Sequence, residues 1–299
     1  MASVPICLLD CPAYGLQDQT EVELACQRAG GFCAERGWRL TVAPELAQVR
    51  GRGHWHSRSD ATVVDRVLTA DVWWPARGGY GCLALADALR TRDPQRLPLL
   101  IGYSDITVLH ALWWQHDCTS VYGPMPAAAC PPGALRALAR ALDGDAIHFS
   151  ARSQSGVTPL HPGSCQGPCF AACLSVLAGL VGTSAMPALD GCLLALEDID
   201  ERPYRVDRAL WQLARAGCLT GVRGLIWGVM PHENPPGYAG ETMHAVLQRW
   251  ARALAIPAIA GLDFGHSAQP LSLVNGRQSV LAVDAADWSL EQTAVKPLR

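Results

Sequence analysis

Short, unbroken apolar runs alternate along this chain with longer stretches whose apolar residues recur every three or four positions. The runs read as buried strands and the stretches as helices. Residues 4–10 predict a first strand. Thr20 and Glu23 have the spacing of a capping box, with Thr20 as N-cap, and predict a helix to about residue 35, ending near Gly37. Residues 38–43 predict a second strand. Ser59 or Asp60 is placed to cap a helix through Leu68, and 71–75 predict a third strand. A helix over 83–89, a strand over 97–101 and a helix over 106–114 follow. This rhythm predicts an α/β fold class, with an N-terminal, mainly parallel sheet flanked by helices.

The rhythm breaks after residue 146. Gly156, Pro159, Pro162, Gly163, Gly167 and Pro168 mark a linker or crossover. Beyond it the pattern predicts a helix over 170–180, a strand from Cys192 into Leu196-Glu197-Asp198, and a helix over 204–216 with Val206, Leu210 and Leu213 on one face. A strand over 225–229, a helix over 241–254 and an apolar segment over 256–264 come next. Asn275-Gly276, between 271–274 and 279–283, has the form of a hairpin turn. A chain of 299 residues is large for one core. The expected organisation is an N-terminal α/β domain over 1–146, a linker over 147–168, and a C-terminal domain over 169–299.

Composition narrows the function classes. Charged residues make up 17% and hydrophobic ones 49% of the chain, which supplies a large core. The net charge is −3 with no basic block, so neither nucleic acid nor an anionic membrane is an expected partner. No apolar run approaches the roughly 18 residues of a spanning helix. Met1-Ala2-Ser3-Val4-Pro5 lacks the basic start of a signal peptide, so the expected location is the cytoplasm. The twelve cysteines then read as free thiols in apolar sites. Cys165, Cys169 and Cys173 repeat every four residues, which places them on one face of a helix; the spacing is not that of a metal site, and no metal or cofactor is expected. Trp73-Trp74 and Trp113-Trp114 read as core or interface, each indole needing a partner for its N–H.

The chemistry concentrates after strand ends, where α/β sheets build their sites. Ser104 lies in Gly102-Tyr103-Ser104-Asp105-Ile106-Thr107, between a predicted strand and a predicted helix. A serine on such a turn projects as a nucleophile beside N–H groups that can receive an oxyanion; its alternative is a plain N-cap. A serine needs a base and a group to orient that base. His266 follows Gly265 just past a predicted strand, and Glu197 ends an apolar one; for Glu197 an ion pair with Arg205 or Arg208 is the structural alternative. Arg77-Gly78-Gly79-Tyr80-Gly81 matches no nucleotide-binding pattern and offers exposed N–H groups. Cys82, after that loop, is a weaker nucleophile candidate because no glycine stands two residues on. The loop Pro231-His232-Glu233-Asn234-Pro235-Pro236-Gly237-Tyr238 follows a predicted strand, and His232, Glu233 and Tyr238, with Arg77, are candidates for binding substrate.

Five segments in order bear a resemblance to the LD-carboxypeptidase family, which includes muramoyltetrapeptide carboxypeptidases and the microcin C immunity proteins. They are residues 77–81, 102–107, Gly123-Pro124-Met125, Leu196-Glu197-Asp198 with Pro203-Tyr204-Arg205-Val206-Asp207-Arg208, and Phe264-Gly265-His266. The resemblance implies a second domain with its own sheet and a site between the two. It implies Ser104 as nucleophile, His266 as general base and acid, Glu197 as orienting carboxylate, and the backbone N–H groups of Gly79 and Asp105 as oxyanion hole. The implied reaction is hydrolysis of an L,D peptide bond, releasing the terminal D-alanine of a murein tetrapeptide, and the implied assembly is a homodimer. Hydrolysis of a peptidyl or aminoacyl nucleotide is the alternative within the family, and a non-catalytic ligand-binding protein the alternative outside it. The chain departs from the family pattern at Ala171-Ala172-Cys173-Leu174, where Gly-Gly-Asn-Leu is usual, and at Tyr122, where histidine often precedes Gly-Pro-Met. Residues 51–58 are only loosely family-like.

Overall fold

A computed structural model describes residues 3–47, 61–128 and 130–294. The first part of the chain gives β1 (Ile6–Asp10), α1 (Gln19–Glu35), β2 (Arg39–Val42), α2 (Ala61–Leu68), β3 (Val72–Pro75), α3 (Cys82–Arg90), β4 (Leu99–Gly102), α4 (Thr107–Gln115), β5 (Ser120–Tyr122) and α5 (Pro132–Asp143). The rest gives β6 (Ile147–Ser150), β7 (Thr158–His161), β8 (Gly163–Cys173), α6 (Leu174–Gly179), β9 (Leu193–Glu197), α7 (Pro203–Arg215), β10 (Gly224–Gly228), α8 (Met243–Leu254), β11 (Ala258–Leu262), β12 (Leu273–Asn275), β13 (Gln278–Val283) and β14 (Trp288–Gln292).

Two sheets result. The first runs β12-β5-β4-β3-β1-β2, and every pairing in it is parallel except that of β12 with β5. The second runs β6-β14-β13-β8-β9-β10-β11-β7, with a parallel centre over β8 to β11 and antiparallel strands on both sides. The α/β class and the mainly parallel first sheet are as the pattern predicts, and the second sheet is as the family resemblance implies. The core of the first sheet holds Trp73, Trp74 and Trp113, all fully buried. Their indole N–H groups donate to Asp10 Oδ1, Pro124 O and Pro98 O at 2.7, 2.8 and 2.8 Å. All twelve cysteines are free thiols. No described helix is long and apolar enough to cross a membrane.

Several expectations are corrected. Thr20 is not the cap of α1: Asp18 is, with Oδ1 accepting from the Glu21 amide at 2.9 Å, while Glu21 accepts from the Gln17 amide at 2.8 Å. The cap thus lies two residues earlier, because Asp caps as readily as Thr, and Glu21 reaches back to the amide before the cap rather than to that of the cap itself. Residues 147–168, read as a linker or crossover, carry β6, β7 and the first half of β8. The helix over 170–180 shrinks to α6, and Phe170 to Cys173 finish β8 instead. A short apolar run does not distinguish a buried strand from a buried helix. Four-residue spacing is likewise one face of a strand as well as of a helix, and Cys165, Cys169 and Cys173 share a face of β8.

The turn at Asn275-Gly276 is not a hairpin. β12 pairs with β5 of the first sheet, whereas β13 pairs with β8 and β14 of the second. Gly276 does adopt the left-handed conformation, φ 85°. The buried Asn275 side chain decides the path: its Oδ1 accepts from the Ala171 amide of β8 at 2.7 Å. The caps expected at Ser59 or Asp60 lie outside the described residues.

Candidate active site

At the end of β4 the chain passes through an extended Tyr103 into Ser104, whose φ is +65°. A non-glycine residue in the left-handed region costs roughly 1–2 kcal/mol, so neighbouring contacts must hold it. The Ser104 amide donates to the Tyr122 hydroxyl at 3.3 Å. Asp105, buried, accepts from the Cys82 amide at 3.0 Å and so ties the turn to the start of α3. The glycine-rich loop lies directly against the serine. A Cβ on Gly78 would stand 2.8 Å from Ser104 Cβ and 3.1 Å from Oγ, so only glycine permits this approach. The same position lies 3.5 Å from the Asp105 amide nitrogen. Gly78 and Asp105 therefore set backbone around the serine hydroxyl, while Gly79, φ 125°, packs against the Tyr14 ring.

Glu197 closes β9 and is completely buried. An isolated carboxylate there would be costly. Three donors satisfy it: the Tyr122 hydroxyl to Oε1 at 2.6 Å, and His266 Nδ1 and the His266 amide to Oε2 at 2.8 and 3.0 Å. Neither arginine of the structural alternative takes part; Arg205 pairs with Glu201 at 3.5 Å and Arg208 lies over the Tyr204 ring. Gly265, φ 69°, makes the double contact possible, because a Cβ there would overlap the Glu197 carboxyl. With Nδ1–H donated to the carboxylate, the lone pair of His266 is left on Nε2. The Glu197 side chain is inaccessible while that of His266 is 14% exposed, so the pair presents only the imidazole outward. The imidazole meets the Tyr103 ring edge-on, with centroids 4.9 Å apart, which sets it beside the turn that bears Ser104.

Not every expected contact forms. No hydrogen bond joins Ser104 to His266 among the described residues; such bonds are commonly loose before substrate binds. Arg77 pairs with Glu21 at 3.5 Å, beside the loop that touches Ser104. In the 231–238 loop, His232 Nδ1 binds Met230 O at 2.9 Å and the Tyr238 hydroxyl donates to Glu241 O at 3.0 Å, so both are occupied locally. The Asp200 amide donates to Pro231 O at 2.8 Å and fixes the loop's start to the chain just after Glu197. Cys82 is fully buried, and burial together with the neighbouring Asp105 pushes its thiol well up, which leaves it without a thiolate to attack with.

Comparison with known proteins adds the family. Residues 11–123 match the LD-carboxypeptidase N-terminal domain and residues 166–281 the LD-carboxypeptidase C-terminal domain. A Streptomyces coelicolor protein with a provisional carboxypeptidase name is 32% identical over 289 residues, covering 89% of this chain and 88% of its own. The chain belongs to the LD-carboxypeptidase family. The murein tetrapeptide carboxypeptidase of Pseudomonas aeruginosa is 28% identical to it over 231 residues, covering 72% of this chain and 73% of that one. The crystal structure of muramoyltetrapeptide carboxypeptidase from Oxalobacter formigenes has the same fold, with a TM-score of 0.80 at 24% identity, over 97% of this chain and 100% of that one.

Two departures from the LD-carboxypeptidase pattern have visible structural consequences. Cys173 Sγ stands 3.5 Å from Asp198 Oδ1, and the Cys173 amide donates to Thr107 Oγ1 at 2.9 Å, linking β8 of the second sheet to the start of α4. Tyr122, paired with Gly102 in the β4–β5 register, reaches both Ser104 and Glu197. The pattern of motifs did not single it out as a site residue. The signal for it was positional: a polar-tipped side chain at the end of a strand adjacent to the serine's.

Proposed function

We propose that this peptidase is a serine carboxypeptidase that hydrolyses an L,D peptide bond and releases the terminal D-alanine of a murein tetrapeptide. The observation that carries the reading is the buried Glu197 bonded to His266 Nδ1 beside the left-handed turn of Ser104. His266 Nε2 takes the Ser104 proton as Oγ attacks the carbonyl, and Glu197 stabilises the imidazolium that forms. The N–H groups of Gly79 and Asp105 receive the developing oxyanion. His266 then passes its proton to the leaving amine of D-alanine, and water, activated by the same histidine, resolves the acyl-enzyme. Arg77, next to the glycine loop, supplies positive charge for the substrate's carboxylate, and His232, Glu233 and Tyr238 form part of the rim. The murein tetrapeptide activity named for the Pseudomonas aeruginosa relative supports this substrate class.

Mass spectrometry of products from a defined muropeptide tests the proposal. A tetrapeptide stem should yield a tripeptide stem and free D-alanine, while a stem ending in a D,D bond should be left intact. Cleavage of an aminoacyl sulfamoyl adenosine with no cleavage of the tetrapeptide would move the chain to the nucleotide-linked alternative.

A further inference from the structure

Tyr122 belongs to the first sheet and Glu197 to the second, yet one phenolic oxygen joins them. It accepts from the Ser104 amide at 3.3 Å and donates to Glu197 Oε1 at 2.6 Å. The direction of the second bond is fixed, because a carboxylate only accepts. The first fits the same assignment, since an amide only donates. The side chain is fully buried, and its ring is held by Phe264, His110 and Tyr103 with centroids 6.0, 5.5 and 6.3 Å away. Burial and the adjacent Glu197 push the phenol far up from its ordinary range, so it stays a donor. Glu197 Oε2 is committed to His266. Among the described residues, Tyr122 is thus the partner of the other oxygen.

We propose that Tyr122 is a positioning residue that sets the nucleophile's turn and the carboxylate of the Glu197–His266 pair through a single hydroxyl. The inference rests on the reading of Ser104 as nucleophile. Without the hydroxyl, Oε1 is a buried acceptor with no donor, and the charge on Glu197 is less stabilised. The Glu197–His266 pair then holds a proton more strongly as a unit. The acid limb of any Ser104 reaction therefore moves to higher pH. The other titratable groups facing this network are Tyr103 before the serine, His110 on α4, Cys173 at the end of β8, and Asp198 after Glu197.

The test is the rate at which a fluorophosphonate labels Ser104 as a function of pH, which needs no knowledge of the natural substrate. Tyr122→Phe keeps the ring and removes only the oxygen. It should be labelled at least tenfold more slowly than the unsubstituted enzyme, with its acid limb displaced upward. The loss should shrink in a Glu197→Gln background, where the carboxylate charge is already gone. Should Tyr122→Phe not fold, 3-fluorotyrosine placed at position 122 gives the opposite arm: a stronger donor of nearly the same shape, it should move the limb downward. Equal rates and superimposed pH profiles for either variant and the unsubstituted enzyme would overturn the role of Tyr122. No labelling of the unsubstituted enzyme at any pH would instead overturn the Ser104 reading, and the role of Tyr122 with it.

Discussion

Ser104 carries two separable demands, a hydroxyl and a backbone conformation that side chains disfavour. Ser104→Ala removes the hydroxyl and should slow turnover by roughly 10³-fold or more while circular dichroism stays native. Gly78→Ala tests the surroundings instead. Its new methyl would meet Ser104 Cβ, not the flexible end of a side chain, so the serine must move. Turnover should fall about tenfold or more with a melting temperature within a few degrees of the parent, read by steady-state kinetics and calorimetry. The serine and its turn were legible in the sequence because glycine, strand and helix signals converge there. Tyr122 was not, because its role depends on a strand register that no local pattern carries. The same holds for His110, which sits under the turn. It bonds Ser120 Oγ and Gly102 O at 2.7 and 2.9 Å, and burial pushes it down to about 4. Its folded value lies below its unfolded one, so the unfolded chain binds the extra proton. Stability is then intact above about pH 6.5 and is lost as pH falls toward 4. Urea midpoints at pH 7.5 and 4.5 should differ less in His110→Gln than in the parent.

At the scale of elements, the strand–helix alternation of the first sheet was readable from periodicity, and its corrections are small. The second sheet resisted. β8 contains two glycines and a proline in its first half and an unbroken apolar run in its second, so neither half shows the alternation of a half-buried strand. The turn at Asn275-Gly276 was legible as a turn but not as a corner, since turn residues encode a change of direction and not the strand that comes next. Asn275 supplies what the turn residues omit. Asn275→Ala would strand the Ala171 amide, which is buried in β8. A loss of about 1–3 kcal/mol in urea unfolding is expected. A variant as stable as the parent would show that the corner needs no side-chain clasp.

Across the whole molecule, Ser104 comes from the first sheet and Glu197 from the second, with His266 on the segment that follows β11. The loop over 231–238 is tied to the chain after Glu197 through Pro231. Replacing His232 and Glu233 together by alanine should therefore change KM several-fold on an L,D-peptide substrate and leave kcat nearly constant, because His232 bonds Met230 O rather than any group around Ser104. Identical kinetics on two substrates would make the loop a connector only. The sheets are also not independent. β12 lies far beyond β5 in the chain, yet it covers β5's outer edge, leaving β5, with Tyr122, as an interior strand. A gene cut after residue 146 would leave that edge bare and sticky, and the fragment would lack a strand it cannot make. The two halves are therefore poor units for exchange. A chimera that took its first half from one relative and its second from another would inherit a sheet with one foreign strand, and the seam would run beside Tyr122, whose hydroxyl meets both the Ser104 amide and Glu197.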